Sequence, residues 1–442
     1  MATKNDLIEA QTFSRRRLLT AFVSGAPGGK ELEPTAPLRA VIAAIALTVA
    51  VVLVGVFWGL IKPGLPNGWD NGKLILVSDT GARFVTVEGE LHPVINTASA
   101  RLLLPSADFA VISTDQSNLS GVALGSTLGI VGAPDELPAP DSLQNAGWSA
   151  CVTDDAALDV RIGGTAADAV AAGAVVVESG GDRFVIAGER SYAVEGGSDA
   201  VLRAAGITAL DPVDVPADWL NLFTPGTALA PIDVADAGQP IAGTALAAGD
   251  VVHVEGTATE ERFLVQADGK LAALTPLSWQ LYQLGGGTSE PTEVSASDVA
   301  DLGTTARPAG GADWPDDGFR SIDADQRACA VLQDEGGGVR TVLAAQPSSD
   351  ETAAGVHVAA GSGALVRAGG RGEQSTGIVT LVDATGTAYA LPGATEETVN
   401  RLGYQLSDIG LAGDVWIDLL GTGPALTEEA AGLSPTTETP SG

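Results

Sequence analysis

The most sustained apolar pattern opens at Ala40 and closes at Ile61 (AVIAAIALTVAVVLVGVFWGLI), 22 residues without a charge. As a helix at about 1.5 Å per residue it measures about 33 Å, enough for a hydrocarbon core of about 30 Å. Arg39 and Lys62 bracket the run, and Trp58 and Trp69 stand where an interfacial aromatic belt is expected. Upstream, Phe13, Leu19, Phe22 and Val23 are expected to share a helical face, with Arg15, Arg16 and Arg17 spread around it. That pattern reads as a short amphipathic docking helix, for the inner membrane surface or for a partner protein; the arginines serve equally as positive-inside determinants.

Past residue 62 the hydrophobic period shortens to that of strands. Residues 74–87 (LILVSDTGARFVTV), 175–187 (VVVESGGDRFVIA), 251–265 (VVHVEGTATEERFLV) and 378–391 (IVTLVDATGTAYAL) share one grammar. Each has an apolar run, a polar turn and an aromatic on a second short strand, which is the hairpin signature. The marker aromatics are Phe84, Phe184, Phe263 and Tyr389; Arg83, Arg183 and Arg262 precede the first three, and Ala388 the fourth. Helix-compatible stretches follow three copies, at 98–104, 199–205 and 395–402. Marker spacings of 100, 79 and 126 residues are too irregular for a solenoid or propeller. Residues 134–170 and 300–345, with Trp148, Trp314 and Phe319, are left to form a central β domain. The expected fold is α+β: one transmembrane helix, then a large extracytoplasmic region of four ββα-like repeats around a central β-rich domain. Residues 424–442 (PALTEEAAGLSPTTETPSG) offer little to bury and read as disordered. The expected boundaries are therefore 1–39, 40–62, 63–423 and 424–442.

Charge changes this picture by giving it a direction. The chain carries a net −32, yet residues 1–62 hold seven basic groups against four acids. The remainder has 16 basic and 51 acidic groups, a field that repels nucleic acid and anionic lipid. Six Lys or Arg precede the helix, while only Lys62 and Lys73 follow it before Arg83, so the N-terminus is placed in the cytoplasm. Ser14–Leu19 looks like a twin-arginine export signal, but about 20 residues separate it from the apolar run, and no small-x-small cleavage site ends that run. An uncleaved anchor fits better. Cys151 and Cys329 both fall outside, an even count that suits one bridge in an oxidising compartment; two separate buried thiols fit as well.

Candidate chemistry is sparse. His92, His253 and His357 show no HExxH spacing, and there is no G-x-S-x-G elbow. Acidic pairs such as Asp154/Asp155 and Asp316/Asp317 are expected by chance in so acidic a body. Gly25–Glu31 (GAPGGKE) has three residues, not four, between Gly25 and the Gly29-Lys30 pair, and lacks the following Ser/Thr of a phosphate loop. Residues 313–319 (DWPDDGF) lack the alternating ligands of a calcium loop and read as a surface turn. No catalytic, metal or cofactor residue is assigned, and no cofactor is expected.

Three stretches resemble a known family. Residues 11–22 (QTFSRRRLLTAF), 89–102 (GELHPVINTASARL) and 128–134 (LGIVGAP), with Trp148, Cys151 and the distant Cys329, are similar to EccB, a core membrane component of type VII (ESX) secretion. The resemblance implies one membrane helix, a periplasmic body of four repeats around a central β domain, and a disulfide. It implies homo-oligomers and assembly with EccC, EccD and EccE into an inner-membrane complex that exports small helical effectors, with EccC as the motor. It also carries an attribution of ATP hydrolysis to EccB, for which no nucleotide motif is recognisable here. The leading expectation is a scaffold that stabilises the export channel on its outer side. The alternatives are an anchored envelope hydrolase or ATPase, and a cell-wall-binding module.

Overall fold

The structure is a computed structural model that describes residues 3–24, 37–60, 65–164, 167–170, 173–208, 210–258, 261–287, 290–349 and 353–435. The chain divides into two compact units, residues 1–64 and 65–442.

The first unit holds helices α1 (Lys4–Ser24) and α2 (Pro37–Leu60). Within α2, Leu38–Val56 is long and apolar enough to cross a membrane, and no part of it is buried by protein. Ile61, the side chain of Trp58 and the loop 25–31 lie outside the described residues. In α1 the expected docking face needs correction. Phe13 and Phe22 are nine residues apart, and at about 100° per residue they project from opposite sides. Leu7, Ile8, Leu18, Leu19 and Phe22 share the apolar stripe instead, all exposed, with Arg15 among them. The side chain of Val23 is outside the described set.

The second unit opens with repeat R1: β1 (Leu74–Val77), β2 (Arg83–Val87), β3 (Glu90–Pro93), α3 (Thr97–Leu103), β4 (Val111–Thr114) and β5 (Ala123–Leu124). Then come β6 (Ser149–Val152), β7 (Leu158–Ile162) and β8 (Asp168–Ala169). R2 follows: β9 (Ala174–Ser179), β10 (Asp182–Ala187), β11 (Arg190–Ala193), α4 (Asp199–Ala204), β12 (Val213–Asp214), α5 (Ala217–Leu220) and β13 (Thr224–Pro225). R3 comprises β14 (Val251–Val254), β15 (Arg262–Val265), β16 (Leu271–Leu274), α6 (Pro276–Leu284) and β17 (Thr292–Val294). After β18 (Gln326–Asp334), β19 (Val339–Pro347) and β20 (Gly355–Val358) comes R4. It contains β21 (Ala364–Gly369), β22 (Ile378–Val382), β23 (Thr387–Leu391), α7 (Glu396–Leu402), β24 (Gly410–Gly413), α8 (Asp414–Ile417) and β25 (Gly421–Thr422). A final helix, α9, spans Glu428–Ala431.

Four repeats around a central sheet are present, and each is larger than a hairpin plus helix. Three antiparallel strands lead into a helix; the chain then returns parallel to the first strand. In R1, R2 and R4 a short fifth strand lies parallel to the third, and R3 has one bridge, Leu271 to Thr304, in its place. Each repeat helix starts on a side chain that accepts from the N3 backbone: Asn96, Ser198, Thr275 and Thr395. The third of these helices, α6, is the one the hydrophobic pattern does not announce, although Thr275 with Pro276 at its first turn is a start signal.

Register corrects the fourth copy. Phe84, Phe184 and Phe263 sit on second strands, opposite Pro93, Ala193 and Ala273. In R4 that place belongs to Thr380, opposite Ala390. Tyr389 lies one strand later, opposite Leu381, as Tyr192 lies opposite Val185 and His92 opposite Val85. The tight DATG turn joins the second and third strands of R4, whereas the turn aligned with it in the other copies joins the first and second.

The tail is ordered further than expected. Leu426 and Ala431 are buried in a cluster with Ala98 and Leu102 of α3 and Val399 and Leu402 of α7. The Leu433 carbonyl accepts from the Gly129 amide at 3.2 Å. Two well-placed apolar residues suffice because R1 and R4 already present a groove between them. Residues 436–442 lie outside the described set.

Candidate functional site

The two stretches left between repeats build one mixed sheet, in the order β20-β7-β6-β18-β19-β8. Of 300–345, only the part from Gln326 onward enters it. Cys151 on β6 and Cys329 on β18 are direct register partners with Cα atoms 4.0 Å apart, and they form a disulfide. Both are buried with Val331, Val342 and Ala344 on one face. Asp159, opposite Cys151 on β7, is buried beside them. Its charge is balanced by Arg161, whose Nη2 donates at 2.8 Å and Nε at 3.1 Å.

The opposite face carries Ala150, Val152, Ala328, Ala330 and Leu332 into the largest core, where R2 and R4 dock. Each docks through a fully buried tryptophan on a short helix, Trp219 of α5 and Trp416 of α8. Trp219 Nε1 donates to the Ala150 carbonyl at 2.9 Å and Trp416 Nε1 to Thr341 Oγ1 at 2.8 Å. Trp148 meets Trp416 edge-on, with centroids 6.3 Å apart. R1 and R3 lack this tryptophan, and chain leading into each covers the equivalent sheet face. Leu65 and Trp69 pack there in R1, and Ile241 and Leu246 in R3. Trp69 therefore belongs to the body's packing and not to an aromatic belt.

R1 and R3 attach through their partners' helices: α3 packs on α7 and α9, and α6 on α4. At the first interface, Glu397 accepts from the Ser106 amide at 3.0 Å and hydroxyl at 2.8 Å, and also from Arg401 Nε at 3.0 Å. These donors, the Ser106 amide first among them, hold its carboxyl down at about 2. At the second, the DWPDDGF segment forms a strap across R2. Asp313 accepts from the Thr227 amide at 3.0 Å and lies 3.5 Å from Arg190, and Tyr192 donates to its carbonyl at 2.8 Å.

The repeated positions are consumed internally. Arg83 pairs with Asp135, which also accepts from the Thr97 amide at the start of α3. Arg183 reaches Asp199 in the first turn of α4 at 2.7 Å, and Arg262 lies over Trp279 of α6. Each thus ties the second strand to its own repeat's helix. Phe84 and Tyr389 are buried, and Phe184 and Phe263 half-buried.

A second repeat signal lies outside the hairpin pattern. Gly125, Gly226 and Gly423 each follow the fifth strand and lie flat against His92, Tyr192 and Tyr389 of the third. Each is followed three residues later by a leucine whose amide bonds back to that strand: Leu128, Leu229 and Leu426. The G-x-x-L spacing was readable, but it lies more than 30 residues from the markers.

The three histidines do not converge. His92 Nδ1 contacts the Ser126 carbonyl, His253 Nδ1 that of Glu261 and His357 Nε2 that of Ala353, at 3.0, 2.9 and 3.0 Å. Among the described residues no group of three His, Cys, Asp or Glu is arranged to hold a metal. A cleft of about 540 Å³ opens where R2 meets the central sheet and is lined by Asp154, Asp211, Asp214, Asp323 and Arg327. Neither Asp154/Asp155 nor Asp316/Asp317 faces a second acidic pair across it, since of these four only Asp154 lines it.

Residues 1–437 match the family model described as type VII secretion system ESX-1, transport TM domain B. The chain belongs to the EccB family. The ESX-5 secretion system ATPase EccB5 of Mycobacterium tuberculosis is 28% identical over 298 residues, covering 62% of this chain and 58% of that protein. The chain thus spans less than two thirds of this EccB relative. The ESX-3 secretion system ATPase EccB3 of Mycolicibacterium smegmatis is 35% identical over 107 residues, 24% of this chain and 20% of that one. A chain of the intact ESX-5 inner membrane complex matches with a TM-score of 0.68 at 22% identity, covering 99% of this chain and 96% of that one. The EccB3 dimer from the ESX-3 core complex matches at 0.66 and 22% identity, covering 81% and 99%. The α+β architecture is therefore the EccB fold.

Proposed function

We propose that this chain is a structural core component of a type VII secretion membrane complex, scaffolding the export channel on its extracytoplasmic side. It spans the inner membrane once through α2, with α1 in the cytoplasm and the repeat body outside. Its partners are EccC-, EccD- and EccE-like membrane components and further copies of itself. In α1, Arg15–Arg17, Phe13, Leu19 and Phe22 are the docking residues, divided between two sides of the helix. The observation that carries the reading is the use of the repeated arginines: Arg83, Arg183 and Arg262 each fasten strand to helix, which is what a replicated framework needs and an active site does not. Purification from native membranes in mild detergent tests it. Co-purification with an FtsK-like ATPase and sibling membrane components is expected; a chain that emerges alone and monomeric overturns it.

A second reading, ATP turnover by this chain, is favoured by the names of the relatives. The loop 25–31 that faintly resembles a phosphate site lies outside the described residues. ATP hydrolysis by the purified full chain, lost in Lys30→Ala, would establish that reading; turnover at the no-enzyme background would remove it.

A further inference from the structure

The repeats form two arms, R1 with R4 and R2 with R3, each seated on the central sheet through one tryptophan. The arms also meet directly. The connection between β21 and β22 is a turn held by its own backbone, with Glu373 N–H bonded to the Gly370 carbonyl and Gly377 N–H to that of Gln374. Arg367 Nη1 secures its far end on the Gly377 carbonyl at 3.1 Å. From this turn Arg371 reaches out of R4 into R2. Its Nη2 donates to the Phe223 carbonyl at 2.7 Å and to the Asn221 carbonyl. Asn221 is the C-cap of α5, the helix that carries Trp219. Among the described residues, these are the hydrogen bonds that join R2 directly to R4. A guanidinium suits the position: its Nη2 carries two N–H donors, one for each carbonyl, and its charge meets carbonyls that the end of α5 leaves unsatisfied.

Among the described residues the arms also meet through apolar side chains, with Leu222 and Phe223 sharing a core with Val366 and Val382. Apolar burial is non-directional and tolerates a small rotation, whereas two hydrogen bonds from one side chain do not. We propose that Arg371 is a clasp that sets the angle between the two arms, and that its release lets them pivot about the disulfide-bonded sheet. It acts as a positioning residue. The clasp sits in solvent on a turn, while both tryptophan anchors are buried, so it opens without exposing the core.

The test is a distance measurement on the full chain in detergent, with the native disulfide intact. Maleimide spin labels placed by Ser117→Cys in R1 and Ala296→Cys in R3 report the span between the arms by double electron–electron resonance, with unlabelled chain in excess so that labels on neighbouring copies do not contribute. A single narrow distribution is expected for the parent. Arg371→Ala should broaden it, as expected when a hinge is freed about a packed element. Arg371→Lys, with one compact cation in place of the fork, should fall between the two. Circular dichroism and melting of each variant show whether it is folded. If Arg371→Ala does not fold, Arg371→Lys and Arg371→Gln carry the test, with broadening expected in both. A parent distribution already as broad as that of a folded Arg371 variant, or unchanged by Arg371→Lys and Arg371→Ala alike, overturns the proposal.

Discussion

Glu397 of R4 grips Ser106 of R1 twice, through its amide and through its hydroxyl, across 291 residues of sequence. The carboxylate is the form that accepts both bonds, so folding depresses its pKa from 4.5 to about 2. A depressed acid stabilises above its unfolded value and loses that contribution as pH falls through its folded one. The Ser106 amide should therefore keep its protection, exchange being compared with the intrinsic rate at each pH, from neutral pH down through pH 4.5 and lose it as pH approaches about 2. Glu397→Gln should lower that protection at neutral pH. Exchange in Glu397→Gln as slow as in the parent at neutral pH would contradict the assignment.

Trp416 fills the core beneath R4 while its indole N–H is satisfied by Thr341 on β19. Trp416→Ala should cost about 3–5 kcal/mol, the range for emptying a large aromatic site. Thr341→Val removes only the acceptor and should cost about 1–3 kcal/mol, because the buried N–H is left without a partner. Denaturant melts of the full chain compare the two; equal losses would mean that the hydrogen bond, not the ring, holds R4.

Gly226 and Gly423 share one constraint: a Cβ at Gly226 would stand 2.7 Å from the Tyr192 ring, and one at Gly423 closer still to Tyr389. Gly423→Ala is expected to destabilise by about 1–3 kcal/mol, the usual cost of overpacking. Combined with Tyr389→Leu, the penalty of the added methyl should shrink. A double-mutant cycle reads the coupling, and strict additivity would show that the backbone, not the ring, demands glycine.

Leu426 is the pin of the C-terminal strap. Leu426→Ala should lower stability by about 2–5 kcal/mol. Limited proteolysis should then find the strap first, ahead of any site in R2 or R3. Unaltered resistance would mean that the strap merely rests on R1.

Much of this architecture is legible from local signals. The charge-free run from Ala40 predicts α2, and alternation with tight turns predicts strands at all four repeats. The helix-compatible stretches at 199–205 and 395–402 are helices, each started by a local side-chain cap, Ser198 and Thr395, which acts on its own next turn. Signals that depend on distant partners are not legible in that way. Residues 424–435 look too polar to fold, and only the groove between α3 and α7 makes two apolar positions enough. The pattern places Tyr389 on a second strand and the structure on a third, because a tight turn looks alike on either side of a middle strand; pairing decides, and pairing is tertiary. Arg371 carries no local signal at all. Its partners are bare carbonyls, which every residue has.

R2 and R3 lie wholly between Cys151 and Cys329, inside a closed covalent ring 178 residues in separation. An envelope protease that nicks the chain anywhere in that ring leaves the two fragments linked, and on a non-reducing gel the damaged molecule migrates close to the intact one. Only a thiol reductant releases the pieces. Cleavage damage in that span can thus be carried by a molecule whose two ends are still joined.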